Sequence, residues 1–105
     1  MATKQQFRSF EELLSGSEVP VLVDFYADWC GPCQMMSPIL DQVNAQLKER
    51  LRVVKINTEK YPQLASQHHI HALPTLVLFK HGQPVERIEG LMPAEQLIQH
   101  LQTFI

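Results

Sequence analysis

A six-residue run that is apolar on both alternating faces, Val21 to Tyr26, broken only by Asp24, can fold only where both of its faces are covered. It predicts a central strand with helices above and below. Two more runs extend the sheet. Leu51 to Asn57 (LRVVKIN) reads as a second buried strand, and Thr75 to Lys80 (TLVLFK) opens a hairpin that turns at His81-Gly82 and returns along Val85 to Ile88. Pro84, which has no N–H to give a ladder, confines the returning arm to an edge or a late start.

Helices fill the intervals. Ser9 and Glu12 form a capping box that opens a helix through Leu13 and Leu14, stopping near Gly16. From Cys33 onward, Met36, Ile39, Leu40, Val43, Leu47 and Leu51 recur at helical spacing, with Pro38 inside the pattern as a kink. Tyr61 to Gln67 forms a short helix with Pro62 near its start, and a last helix from about Pro93 turns Leu97, Ile98, Leu101 and Phe104 inward. Strands joined through helices pair in parallel and a hairpin pairs antiparallel. The expectation is therefore an α/β fold, residues 1–105 forming a single domain around a mixed sheet with helices on both faces.

With 105 residues, 45% of them hydrophobic, the chain has the material for one core without metals or bridges. A net charge of −2 gives no basic footprint for nucleic acid. No stretch approaches the roughly 18 apolar residues of a membrane span, and MATKQQFRSF lacks the apolar centre of a signal peptide. A soluble, cytoplasmic protein is expected, with neither nucleic acid nor membrane as partner. In a reducing compartment, neighbouring cysteines are more often catalytic, redox-sensing or metal-binding than permanently bridged.

The two cysteines, Cys30 and Cys33, are separated only by Gly31 and Pro32. A disulfide closing so small a ring constrains the unfolded chain by roughly 2 kcal/mol before strain, too little to make it a staple. The pair lies between a strand's carboxyl end and a helix start, where open α/β sheets carry their sites. Unpaired N–H groups and the macrodipole there favour a thiolate, the form that attacks a disulfide, so the Cys30 thiol is expected below its ordinary range. Pro32 suits the first helical turn and helps leave Cys30 exposed and Cys33 recessed.

Asp24, inside an apolar strand, is expected to hold its proton tightly and to accept the proton of Cys33. Pointing outward from a strand end, it would do neither. Lys55 reads equally as a partner of Asp24 or as a solvated lysine at a strand edge. Pro74 alone reads as an ordinary strand opener. His68, His69 and His71 read as surface histidines near a helix end. Joined to the cysteines they would make a zinc site, but the separation is far from finger spacing, and no metal is expected.

Together Asp24, Ala27-Asp28-Trp29-Cys30-Gly31-Pro32-Cys33, Pro38, Lys55, Leu73-Pro74-Thr75, Phe79-Lys80-His81-Gly82 and Gly90 closely resemble the thioredoxin family over nearly the whole chain. The resemblance implies the thioredoxin fold, with four helices and about five strands, and a protein-disulfide reductase acting as a monomer. Cys30 would be the nucleophile, Cys33 the resolving thiol, and their redox-active disulfide would serve without a bound cofactor. The proline matching Pro74 would be cis and face the cysteines. Trp29, Gly31, Pro32, Ala72, Leu73, Pro74 and Gly90 would form the substrate groove, with the Leu73 backbone pairing to an extended target segment. Partners would be disulfide-bearing target proteins and a separate thioredoxin reductase, dependent on NADPH or on ferredoxin.

Tyr26, Gln34, His71 and Ala72 depart from the family's commonest residues, all around the groove, and bear on partner choice. Glu89 and Leu91 add an acidic and an apolar element beside Gly90. An oxidase or isomerase, and a binding subunit without turnover, are the competing readings.

Overall fold

The computed structural model describes the backbone of residues 4–105 and the side chains from residue 8 onward. In chain order the elements are α1 (Lys4–Gly16), β1 (Val21–Tyr26), α2 (Gly31–Leu47), β2 (Arg52–Asn57), α3 (Pro62–Gln67), β3 (Thr75–Lys80), β4 (Gln83–Glu89) and α4 (Ala94–Gln102). The strands form one sheet in the order β2-β1-β3-β4. β2 runs parallel to β1, β3 antiparallel to β1, and β4 antiparallel to β3.

β1 is the covered strand its composition calls for: Val21 through Phe25 are all buried. Its alternation divides the core in two. Leu22 joins Leu76 and Leu78 of β3 against Met36, Leu40, Val43 and Leu47 of α2 and Leu97, Ile98 and Leu101 of α4. On the other face Val21, Val23 and Phe25 join Val77 and Phe79 of β3 against Phe10 and Leu14 of α1 and Leu64 of α3. Each such side chain contributes about 1.5–3 kcal/mol when fully removed from water.

Several expectations are corrected. The described residues hold four strands, not about five, because the chain ahead of β1 is helical from Lys4. Ser9 lies inside α1 and caps nothing: Lys4, Gln5, Gln6 and Arg8 carry the helix backward past the capping-box residues. α2 ends at Leu47, and Leu51 is buried in the connection just ahead of β2. β2 is an edge strand rather than a buried one, with Arg52 and Lys55 exposed and Val53 and Val54 only half-buried. Charges on an edge discourage pairing with another chain, which suits that position.

The hairpin is as expected, with Pro84 on the edge strand β4 opposite Phe79, where the register shifts. His81 and Gly82 both adopt positive φ, +52° and +81°, the geometry of a tight two-residue hairpin turn. Pro62 opens α3, Pro93 precedes α4, and Pro38 sits within α2.

Candidate active site

β1 delivers the chain to the top of the sheet, four residues turn it, and α2 begins at Gly31 with Pro32 in its first turn. Cys30 is the N-cap. Its Sγ accepts the backbone N–H of Cys33 at 3.2 Å, one of the donors that a helix start leaves unpaired. The two sulfurs form a disulfide. Cys30 and Cys33 are 4% and 6% exposed, so the expected contrast between an exposed and a recessed cysteine is absent from the oxidised pair. Closing a ring of four residues at a helix start tucks both sulfurs against Ala27, Tyr26 and Leu73.

The two cysteines differ in what lies beside them. Cys33 lines a cleft of about 230 Å³ together with Asp24, Tyr26, Ala27, Asp28, Gln34, Ser37 and Lys55; Cys30 does not line it. Asp24 is 2% exposed, and its Oδ1 is buried without a hydrogen-bond partner. Burial pushes the carboxyl up to about 6 from 3.8, while the positive charge of Lys55 pulls the other way. Above that pH Asp24 is an ionised, poorly solvated carboxylate in the same cleft as Cys33.

Lys55 is the register partner of Asp24 across β1 and β2. It forms no ion pair with Asp24 within 4 Å among the described residues. Its Nζ donates instead to Ser37 Oγ of α2 at 3.0 Å. Ser37 was missed in the sequence, although its position one helical turn after Cys33 was a signal that the two side chains share a face.

Of the residues expected to form a substrate groove, Leu73 is the one packed against the cysteine pair. The Leu73–Pro74 peptide is cis, and the Pro74 carbonyl accepts the N–H of Gly90 at 2.9 Å. Gly90 has φ +85° with open space where a Cβ would stand, so it is required by backbone conformation and not by crowding. Ala72 is exposed, and its carbonyl accepts Thr75 Oγ1 at 2.6 Å. Gly31 and Pro32 are exposed, and Trp29 stands 69% exposed ahead of Cys30. Gln34, in place of the family's frequent basic residue, donates through Nε2 to the Asp28 carbonyl at 3.2 Å.

The three histidines do not join the cysteines: no cluster of three or more His, Cys, Asp or Glu placed to hold a metal occurs among the described residues. No described helix is long and apolar enough to cross a membrane.

A sequence model of the Thioredoxin family matches residues 2–103. The chain belongs to the thioredoxin family. A thioredoxin-like protein of Synechocystis sp. is 63% identical over the full length of both chains. Thioredoxin Y1, chloroplastic, of Arabidopsis thaliana is 57% identical over 96% of this chain, which spans 59% of that longer protein. Thioredoxin 1 of Nostoc sp. is 46% identical over 90% of this chain and 88% of its own length. This thioredoxin-family chain is a thiol–disulfide oxidoreductase, and the family works with no cofactor beyond its redox-active cysteine pair.

Proposed function

We propose that Cys30 attacks the disulfide of a target protein, that Cys33 resolves the resulting mixed disulfide, and that Asp24 accepts the proton Cys33 must lose. The observation that carries this reading is the division of labour at the helix start. The Cys30 sulfur receives a backbone N–H of α2, whereas Cys33 opens on the cleft of Asp24.

In the first step the Cys30 thiolate bonds to one target sulfur and the target's S–S bond breaks, releasing the other sulfur as a thiolate. Next the Cys33 thiol passes its proton to Asp24, directly or through a water, and its thiolate attacks the Cys30 sulfur. The mixed disulfide breaks, the second target sulfur leaves and is protonated, and Cys30–Cys33 is left oxidised. Two electrons pass from the dithiol to the target. An external thioredoxin reductase, NADPH- or ferredoxin-dependent, returns them, and reconstitution with each enzyme separates the two.

Trp29, Gly31, Pro32, Ala72, Leu73, Pro74 and Gly90 form the docking groove in this reading, with the Leu73 backbone offered to an extended segment of the target. Residues 1–105 act as one domain and one monomer, in a reducing compartment such as the cytoplasm, where the pair rests as a dithiol. The chloroplastic names of related proteins make the chloroplast the other setting to test.

The deciding experiment is trapping. Cys33→Ser should accumulate a mixed disulfide to Cys30 when mixed with insulin, and Cys30→Ser should form none. Accumulation on Cys33 in the Cys30→Ser variant, at the wild-type rate, would reverse the assignment. Equilibration against dithiol buffers, followed by Trp29 fluorescence, should give a potential near about −270 mV, and a value near about −180 mV would replace reductase by oxidase or isomerase.

A further inference from the structure

Lys55 is a long, exposed side chain on an edge strand, the kind of lysine whose ammonium ordinarily wanders in solvent. It lines the cleft and is in register with Asp24, yet among the described residues it makes no ion pair that would hold it there. What holds it is the 3.0 Å hydrogen bond from Nζ to Ser37 Oγ, reaching from β2 to α2. Ser37 is half-buried, lines the same cleft, and follows Cys33 by one helical turn. We propose that Ser37 is a positioning residue for the resolving step, tethering the Lys55 ammonium in the cleft that Asp24 and Cys33 share.

This inference rests on the reading of Asp24 as the proton acceptor for Cys33. The physical argument is one of distance and dielectric. A charge free in solvent is screened within about 8 Å at physiological salt. The same charge held at the mouth of a partly desolvated cleft acts through a lower effective dielectric and is felt several-fold more strongly. With the tether, the ammonium favours the ionised form of Asp24, opposing the effect of burial. Without it, Asp24 keeps its own proton to somewhat higher pH, and a smaller fraction is ionised to take that of Cys33 on the acid limb.

The other titratable groups facing Asp24 are Cys33 from α2, and Tyr26 and Asp28 from β1 and the turn after it. Leu76 of β3, its remaining register partner, carries no titratable group. Asp28 is itself engaged, its Oδ2 accepting Asn57 Nδ2 at 3.4 Å. Among the described residues Lys55 is therefore the one cation lining the cleft, and its placement passes through a single hydroxyl.

The test is the pH profile of single-turnover insulin reduction, with the attack step measured separately in the Cys33→Ser background. Ser37→Ala should move the acid limb of the resolving step to higher pH, lowering the rate on that limb about two- to threefold, a displacement of a few tenths of a unit. The plateau above the limb and the attack step should not change. Ser37→Thr, which keeps a hydroxyl, should restore the wild-type limb. In a Lys55→Met background Ser37→Ala should have no effect. An unmoved limb in Ser37→Ala, or an equal displacement when Lys55 is absent, would overturn the tether. Asp24→Asn separates the two levels: a limb that survives it overturns Asp24 as acceptor, whereas a limb lost with Asp24 but indifferent to Ser37→Ala overturns only the tether.

Discussion

Asp24 and His68 each bury a polar atom that finds no hydrogen-bond partner, Oδ1 in one and Nε2 in the other, and they lie on opposite faces of the same sheet. Desolvation disfavours the charged form of both, raising the carboxyl and lowering the imidazole. What differs is the company. Asp24 shares its cleft with a sulfur that must lose a proton, whereas the His68 ring is packed edge-on to Phe10 and Phe79 and tilted on Phe25, with centroids 5.5–5.9 Å apart. Burial of a titratable group is thus not a functional signal by itself. It becomes one when a reacting atom lies in the same solvent-connected space.

The comparison breaks most violently at Phe79, which is 1% exposed and packs on the His68 ring. Phe79→Ala should cost about 3–5 kcal/mol in urea unfolding at neutral pH. It should also let water reach His68. Because the imidazole's folded value is lowered, its contribution is whole above its ordinary 6.5 and is lost as the pH falls below that. In Phe79→Ala that acid-side loss should flatten; a slope equal to wild type would mean that the phenyl wall is not what desolvates His68.

Asp24→Asn comes next and has the opposite sign. A carboxyl raised from 3.8 to about 6 stays protonated longer in the folded state, so it favours folding at low pH and opposes it once ionised. Roughly two units correspond to about 3 kcal/mol, which Asn should return at pH values above 6 and which should vanish below 3.8. The same variant should resolve mixed disulfides more slowly. Greater stability joined to slower chemistry is the signature of a group kept for its reaction; a variant neither stabler nor slower would place Asp24 with His68 as a bystander.

His68→Phe should have a smaller effect, visible only as a slope. Arg87, Glu11 and His69 are the charged or titratable neighbours that act on His68, with burial the largest influence. As the pH falls below 6.5, wild type should lose stability relative to His68→Phe, in the range where ionised Asp24 is being relieved. The two slopes oppose each other, so denaturant unfolding is best compared in the Asp24→Asn background. Disulfide exchange rates should not respond to His68 at all.

Much of this contrast is legible in the amino-acid sequence, and unevenly so. Asp24 stands out because one acid interrupts five apolar residues, and the cysteine pair because a ring that small cannot serve as a staple. His68 does not stand out. In His68-His69-Ile70-His71 the three imidazoles are alike, and which one is enclosed depends on where the chain reverses. His69 adopts φ +55°, turning the chain at the end of α3 so that His68 faces the phenyl rings and His69 and His71 face solvent. β2 was misread for a related reason. Its Val-Val doublet looks like a covered strand, while Arg52 and Lys55, an odd number of residues apart, place a charge on each face and mark the edge. Ser37 carried only a spacing, since a serine in a helix does not disclose a partner 18 residues away in another element.

A second pair of groups supplies the control. Glu86 on β4 and His100 on α4 meet at 2.6 Å with both side chains partly open to water, 28% and 38% exposed. Here the hydrogen bond from His100, not burial, dominates, and it lowers the Glu86 carboxyl. The contribution is therefore present above the ordinary 4.5 and lost as the pH falls through the depressed value, the reverse of Asp24. Exposure keeps it small: Glu86→Gln should cost no more than about 1 kcal/mol, and less in high salt, by thermal or urea unfolding. A loss insensitive to salt would show that the contact is effectively desolvated and belongs with the buried groups. The sign of a pH slope, its size and its salt dependence together distinguish a carboxyl that is isolated by burial from one that is paired at the surface.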